Sequence, residues 1–356
     1  MPYKISGTKS ETARIIVFKE NDWSIEANTV ISGSGTYEID SLVSGTKTVA
    51  ARSVNGYTIG YGNVTGEYYA PLARGVFAGG NDGAVTNVIQ YITIASEGNA
   101  QNFGDLTVAR TWPVACSNST NERGVFFDAG YDHEIIDYIT ISTLGDAISF
   151  GSLPALDQGD SAACDNGVND RGIFANYDNI YYVTISTPGN STNFGTKDGR
   201  RSFGSCSNDT NNRGIFAGGY SYTNDINYID ISSTGNAQAF GDLVLIQSYS
   251  TGTSNGTNER GIFAGGLNAA AARINIIQYI TISSLGDATN FGDLSEPKLG
   301  FGFASNKTSE RAVLGGGSTP TKLDVMEYIT ISTLSDASDF GDLMAANANL
   351  SATSNA

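Results

Sequence analysis

Six times along this chain an arginine opens the same short phrase. The copies read RGVFAGG at Arg74, RGVFFDAG at Arg123, RGIFANY at Arg171, RGIFAGG at Arg213, RGIFAGG at Arg260 and RAVLGGG at Arg311. The intervals between these arginines are 49, 48, 42, 47 and 51 residues. A repeat of that length is one supersecondary unit that cannot bury its apolar face alone and must stack on its neighbours. Within each unit a second phrase follows, QYITIAS at Gln90, DYITIST at Asp137, YYVTIST at Tyr181, NYIDISS at Asn227, QYITISS at Gln278 and EYITIST at Glu327. Its alternation is strict: Ile92 and Ile94 face one way and Tyr91 and Thr93 the other, the period of a strand packed on both faces. A turn such as LGDA or TGNA leads to a third strand signal, NFGDL at Asn102 and its equivalents. A fourth lies just before each arginine, in VACSN at Val114, AACDN, GSCSN, GTSN and FASN, joined to it by a polar turn such as STNE.

Four strands per unit make a propeller blade, and a ring of blades must close. Before Arg74 the chain reads EYYAPLA, without the small-residue strand that precedes the later arginines. That strand stands at the other end, where Ala352, Thr353, Ser354 and Asn355 match Ala115, Cys116, Ser117 and Asn118. The expected fold is all-β: a six-bladed β-propeller over residues 70–356, closed by its C-terminal strand and preceded by a small β-sandwich over residues 1–69.

The repeat resembles kelch-type propellers, in which a Gly-Gly doublet follows the second strand. Here the doublet is read at Gly79-Gly80, Gly218-Gly219, Gly265-Gly266 and Gly315-Gly316, with Ala129-Gly130 and Asn176-Tyr177 in its place in the second and third units. The Trp expected later in a kelch repeat is absent. The wording RGxFAGG followed by YITISTxGxAxxFGDL, over about 280 residues, also resembles propeller-forming virion components of tailed bacteriophages. In the first 69 residues, GSGTYEIDSLVSGTKTVAAR is similar to the transthyretin-like modules of carboxypeptidase regulatory domains. These resemblances imply a tail- or fibre-type virion protein. Its sandwich would dock on other virion proteins, and its propeller loops would be displayed for host glycan or protein. Assembly as a homo-oligomer within the particle is implied too.

Charge narrows the partners. With 36 acidic and 20 basic residues, a formal charge of -16 repels nucleic acid and anionic membrane surfaces. No stretch approaches the about 20 apolar residues of a membrane span, and the N-terminus has no signal-peptide pattern, so synthesis in a host cytoplasm is expected. Cys116, Cys164 and Cys206 are three copies of one position, read as small buried hydrophobes and not as disulfides.

No constellation for catalysis, metal or cofactor stands out. His133 is the sole histidine, which excludes multi-His metal sites and Ser-His arrangements without it. Asp339-Phe340-Gly341 copies the kinase tripeptide in one repeat only. The repeated Phe103, Phe150, Phe194, Phe240, Phe291 and Phe340 are expected to plug the interfaces between blades, with the following Gly at a bulge or turn. Arg74, Arg123, Arg171, Arg213, Arg260 and Arg311 suit a structural role, bonding carbonyls or an Asp of a neighbouring blade, Asp105 and its FGDL equivalents among them.

Strand parity gives the functional expectation. The first and third turns of each unit, such as GTNE and LGDA, are nearly constant and share one face; the second turns and interblade links vary and share the other. The links include Thr111, Trp112, Arg200, Arg201, Tyr249 and Lys298. Unequal loops on a rigid ring make a binding surface, and Trp112, Tyr131, Arg201, Tyr222 and Tyr249 are the candidate contacts for sugar or protein. Loops that drift without constraint are the plain alternative. The expected role is a non-enzymatic virion structural or adhesion protein; a propeller enzyme acting on glycans and an intracellular kelch-like scaffold are the competing classes.

Overall fold

The computed structural model describes residues 73–354, apart from 119–122, 129–133, 155–160, 167–169, 208–211, 221–222, 255–258 and 306–309, and the backbone of the strands that precede them. The chain divides into two compact units, Met1–Leu72 and Ala73–Ala356. In the first, Tyr3–Lys9, Gly35–Leu42 and Glu67–Tyr68 form one antiparallel sheet, and Ala13–Lys19, Ile25–Ile31, Thr46–Ser53 and Thr58–Thr65 form another. The side chains of this unit lie outside the described residues, and so does the expected packing of its sheets into a sandwich.

The second unit is an all-β, six-bladed propeller of four-stranded antiparallel sheets. In blade 2 the order from the axis outward is Val114–Asn118, Arg123–Phe127, Ile135–Thr140 and Ile148–Ser152. The strand before each arginine is therefore the innermost strand of the blade that the arginine opens. Blade 1 takes its innermost strand from the C-terminus: Ser351–Ser354 pairs with Arg74–Ala78, with Ala352 opposite Phe77 and Ser354 opposite Gly75. Each innermost strand touches the next around the ring, and Ser351–Ser354 touches both Val114–Asn118 and Leu299–Ser305, so the circle is complete.

Size complementarity sets the inner packing. Ala115, Ala163, Ser205, Gly252 and Ala352 lie opposite Phe126, Phe174, Phe216, Phe263 and Phe77. Blade 6 carries Phe303 on the inner strand and Leu314 opposite it. One bulky ring per pair fills the wedge between blades, whichever strand supplies it. The apolar core is divided into six clusters, each shared by two adjacent blades. Phe103 and its five equivalents are at most 4% exposed, and each meets the Tyr of the adjacent strand edge to face, at 6.1 Å for Tyr91 and Phe103. In blade 1 the ladder shifts register between Asn102 and Gly104, a β-bulge at the Phe-Gly step.

The six repeat arginines join the blades. The Arg74 guanidinium donates 2.8 Å to the Ile141 carbonyl of the next blade and lies 4.9 Å from the centroid of its own blade's Tyr91 ring. Arg123, Arg171, Arg213 and Arg260 repeat this onto the carbonyls of Ile185, Ile231, Ile282 and Ile331, and Arg311 closes the set onto Ala95. The acceptor is thus a carbonyl just past the end of the strand that carries the Tyr. The FGDL aspartates are on the outermost strand, where Asp105 is exposed.

The three cysteines are free and buried. A Cβ at Gly172 would come within 2.6 Å of the Cys116 sulfur, so the thiol occupies the room that the glycine of the next blade leaves. Burial raises the pKa of all three thiols, holding them neutral.

One motif needs correcting. After the second strand of blade 6 the glycines with positive φ are Gly316 and Gly317, at 74° and 99°, matching Gly218 and Gly219 at 67° and 129°. The doublet is therefore Gly316-Gly317, one residue later than its reading in the sequence. Gly315 stands where the other blades have Ala or Phe, against the Phe77 ring.

Candidate functional site

The two faces of the propeller are built differently. On one, the third turn of each blade clasps the outermost strand of the blade before it. Asp146 accepts from the Asp105 backbone N–H at 3.0 Å, and Asn190, Asn236, Asp287, Asp336 and Asn99 do the same for Ser152, Thr196, Asp242, Asp293 and Asp342. This repeated clasp explains why those turns hardly vary in sequence.

The other face carries the second turns and the interblade links, and each described link has two fixed positions. The first anchors the link by its side chain. Arg110 is paired with Asp137, Lys298 with Glu327, and Gln247 accepts from the Gln278 amide. Asn347 and Arg200 reach the carbonyls of Gly79 and Gly218. Arg110, Asp137, Lys298 and Glu327 are all at most 2% exposed. Arg200 and Lys298 are thus buried anchors of the link, although the sequence alone placed them on the variable face.

Two residues further on, the backbone turns left-handed. Trp112, Ser202, Tyr249, Gly300 and Asn349 have φ of 56°, 59°, 55°, 71° and 62°; the equivalent Asp160 lies outside the described residues. This conformation turns each amide toward its neighbour. Trp112 N–H donates to the Asn349 carbonyl at 2.8 Å, Asn349 to Gly300 at 2.6 Å and Tyr249 to Ser202 at 2.6 Å. The result is a rim of backbone hydrogen bonds around the mouth of the central channel.

Within that rim Trp112 and Tyr249 project from blades 2 and 5, which are diametrically opposed, and their ring centroids approach to 5.6 Å. Beside them is a cavity of about 120 Å³ lined by Pro113, Phe203, Phe301, Leu350 and the hydroxyl residues Ser161, Ser202, Ser205, Ser250, Thr251 and Ser351. Among the described residues this lining contains no charged side chain. The far end of the channel is lined by Ser117, Ser207, Ser254, Ser305 and Ser354, with Asp165 in the sixth place. Their hydroxyls bond round the circle, Ser354 onto the Ser305 carbonyl and Ser305 onto that of Ser254.

The structure brings together two of the five sequence-derived contact residues, Trp112 and Tyr249. Arg201 sits outside the rim, its guanidinium 5.1 Å from the Tyr220 ring centroid. Tyr131 and Tyr222 lie outside the described residues, as does His133. No family model and no curated protein matches the chain. Its site must therefore be read from its own geometry.

The variable loops do not hang free of one another. Arg273 donates 3.0 Å to the Ser318 carbonyl in the next blade, Lys322 donates to the Asn81 amide oxygen, and Tyr220 N–H donates 2.6 Å to Arg201. In blade 3 Lys197 ties the short second turn to the following link: its ammonium donates to the carbonyls of Tyr177, Asp198 and Arg200 at 3.0, 2.9 and 2.6 Å. Burial draws the Lys197 pKa down to about 7, against the pull of Asp198.

Proposed function

We propose that this chain is a non-enzymatic adhesion protein of a tailed-phage virion, in which the propeller presents its variable face to a glycan or protein of the host surface. The observation that carries the reading is the choice of Trp112 and Tyr249 at left-handed backbone positions. Gly300 and Asn349 hold the equivalent places at little cost, whereas a bulky residue there costs roughly 1–2 kcal/mol. Two large aromatics in this conformation, at facing positions of one rim, favour a site kept for contact over one kept for stability. The cross-linked loops support it as well, because a surface held rigid before binding loses less entropy on contact.

The absence of charged side chains from the described mouth lining favours binding over glycoside hydrolysis, which needs two placed carboxylates. The virion setting rests on the resemblance of the repeat to phage propellers, and a sandwich over residues 1–69 would serve as the attachment module. An array of bacterial surface glycans, read for retention of the intact chain and by mass spectrometry for released sugar, tests the first part. Retention without release, lost on Trp112→Ala with Tyr249→Ala, is the expected outcome; released sugar would establish an enzyme instead. Immunogold labelling of particles with antibody to the propeller tests the second, and unlabelled particles would remove the virion setting.

A further inference from the structure

The mouth cavity has a feature that its aromatic rim does not require. The hydroxyl oxygens of Ser161, Ser250 and Ser351 are buried without a hydrogen-bond partner, and Ser250 and Ser351 are each only 6% exposed. A buried hydroxyl left unpaired costs about 1–3 kcal/mol, so three around one cavity form an unmet demand for donors and acceptors. Other hydroxyls of the same lining are satisfied: Ser205 donates to the Ala163 carbonyl and Thr251 to that of Phe301. The three unpaired hydroxyls stand beside two aromatic rings and the apolar surfaces of Pro113, Phe301 and Leu350.

We propose that this cavity is a binding site for one neutral pyranose unit of a glycan, resting on the reading of the variable face as a contact surface. Hydroxyls answer hydroxyls, and the aromatic surfaces accept the apolar face of a sugar ring. With centroids 5.6 Å apart, Trp112 and Tyr249 leave no room for a sugar between them. The sugar stacks on their exposed surface and directs hydroxyls toward Ser161, Ser250 and Ser351. A sialic or uronic acid is disfavoured, since its carboxylate would enter a lining that holds no cation among the described residues, on a protein of net charge -16.

Trp112 reports on its own site, because Trp23 is the only other tryptophan. In the full-length Trp23→Phe chain, emission from Trp112 is titrated with the methyl glycosides of glucose, galactose, mannose and N-acetylglucosamine, and with glucuronic and N-acetylneuraminic acids, up to about 100 mM. At least one neutral glycoside should give a saturable change and neither acid should. Replacing Ser250 and Ser351 by alanine should weaken that binding at least about tenfold without lowering the melting temperature, because these hydroxyls have no partner to lose. Silence with every neutral glycoside, or unchanged affinity in the double variant, overturns the proposal. If Trp112 is silent while the chain still adheres to the glycan array, only the mouth site fails; if adhesion is absent too, the adhesion reading fails with it.

Discussion

At the scale of single residues, the interblade anchors show one mechanical task solved with different chemistry. Lys298–Glu327 and Arg110–Asp137 are ion pairs sealed from water, while blade 5 uses the neutral pair Gln247–Gln278 at the same place. Breaking a buried pair by removing one partner costs about 3–5 kcal/mol, because the other charge is stranded, whereas replacing both can be neutral. Glu327→Ala should therefore destabilise by that amount in urea denaturation, and the double change Lys298→Gln with Glu327→Gln should recover most of it. A double variant as unstable as the single would mean that the charges themselves hold the link. Lys197 gives a pH signature. Its folded pKa of about 7 lies below its usual 10.5, so between those values the unfolded chain binds more protons and stability rises with pH. Lys197→Met should flatten the rise in melting temperature between pH 7 and 10; an unaltered slope would show that another group sets it. Neither role could be read from the sequence. Lys298 and Arg200 look like solvated cations on a variable loop until Glu327 and the Gly218 carbonyl are seen beside them. Trp112 and Tyr249 were legible as exposed aromatics on the varying face, but not their meeting across the ring, which depends on a six-fold closure bringing together links from blades 2 and 5.

At the scale of elements, the repeat was legible because it is written in two codes at once, an alternating strand and a fixed arginine. The inner strand was visible only through its position, since runs such as GTSN and FASN have no strong strand propensity. Its pairing with the strand that follows each arginine makes a strand of it. The doublet in blade 6 was misplaced by one residue because three consecutive glycines look alike, and only the φ angles separate Gly315 from the pair Gly316-Gly317. The contact between each outer strand and the following blade also leaves a mark in the sequence, the Gly after each repeated Phe. A Cβ on Gly195 would stand 2.0 Å from the Gly235 carbonyl oxygen, a backbone atom with little freedom to retreat. Gly195→Ala should cost about 2–3 kcal/mol by overpacking, read as a lower denaturation midpoint. An unchanged midpoint would mean that the blades can separate without loss at that point.

At the scale of the whole molecule, closure couples the blades. An open array of repeats is stabilised by neighbour contacts alone, but here the last strand completes the first blade, so no blade is terminal. Ending the chain at Leu350 removes the innermost strand of blade 1 and exposes the cluster around Phe77, Leu343 and Leu350. Such a chain should lose its cooperative thermal transition and become protease-sensitive, and a full-length melting profile would contradict ring closure. The closed ring also leaves the two faces built differently, one clasped by nearly constant turns and one carrying different loops around an aromatic mouth. Hydrogen exchange of the intact protein with and without a retained surface glycan tests the proposed binding at the variable face most directly. Protection is predicted in the links 107–113, 197–203 and 243–250 and in the adjoining second turns; protection in the turns 141–147, 185–191 and 231–237, or none at all, would contradict binding at the variable face.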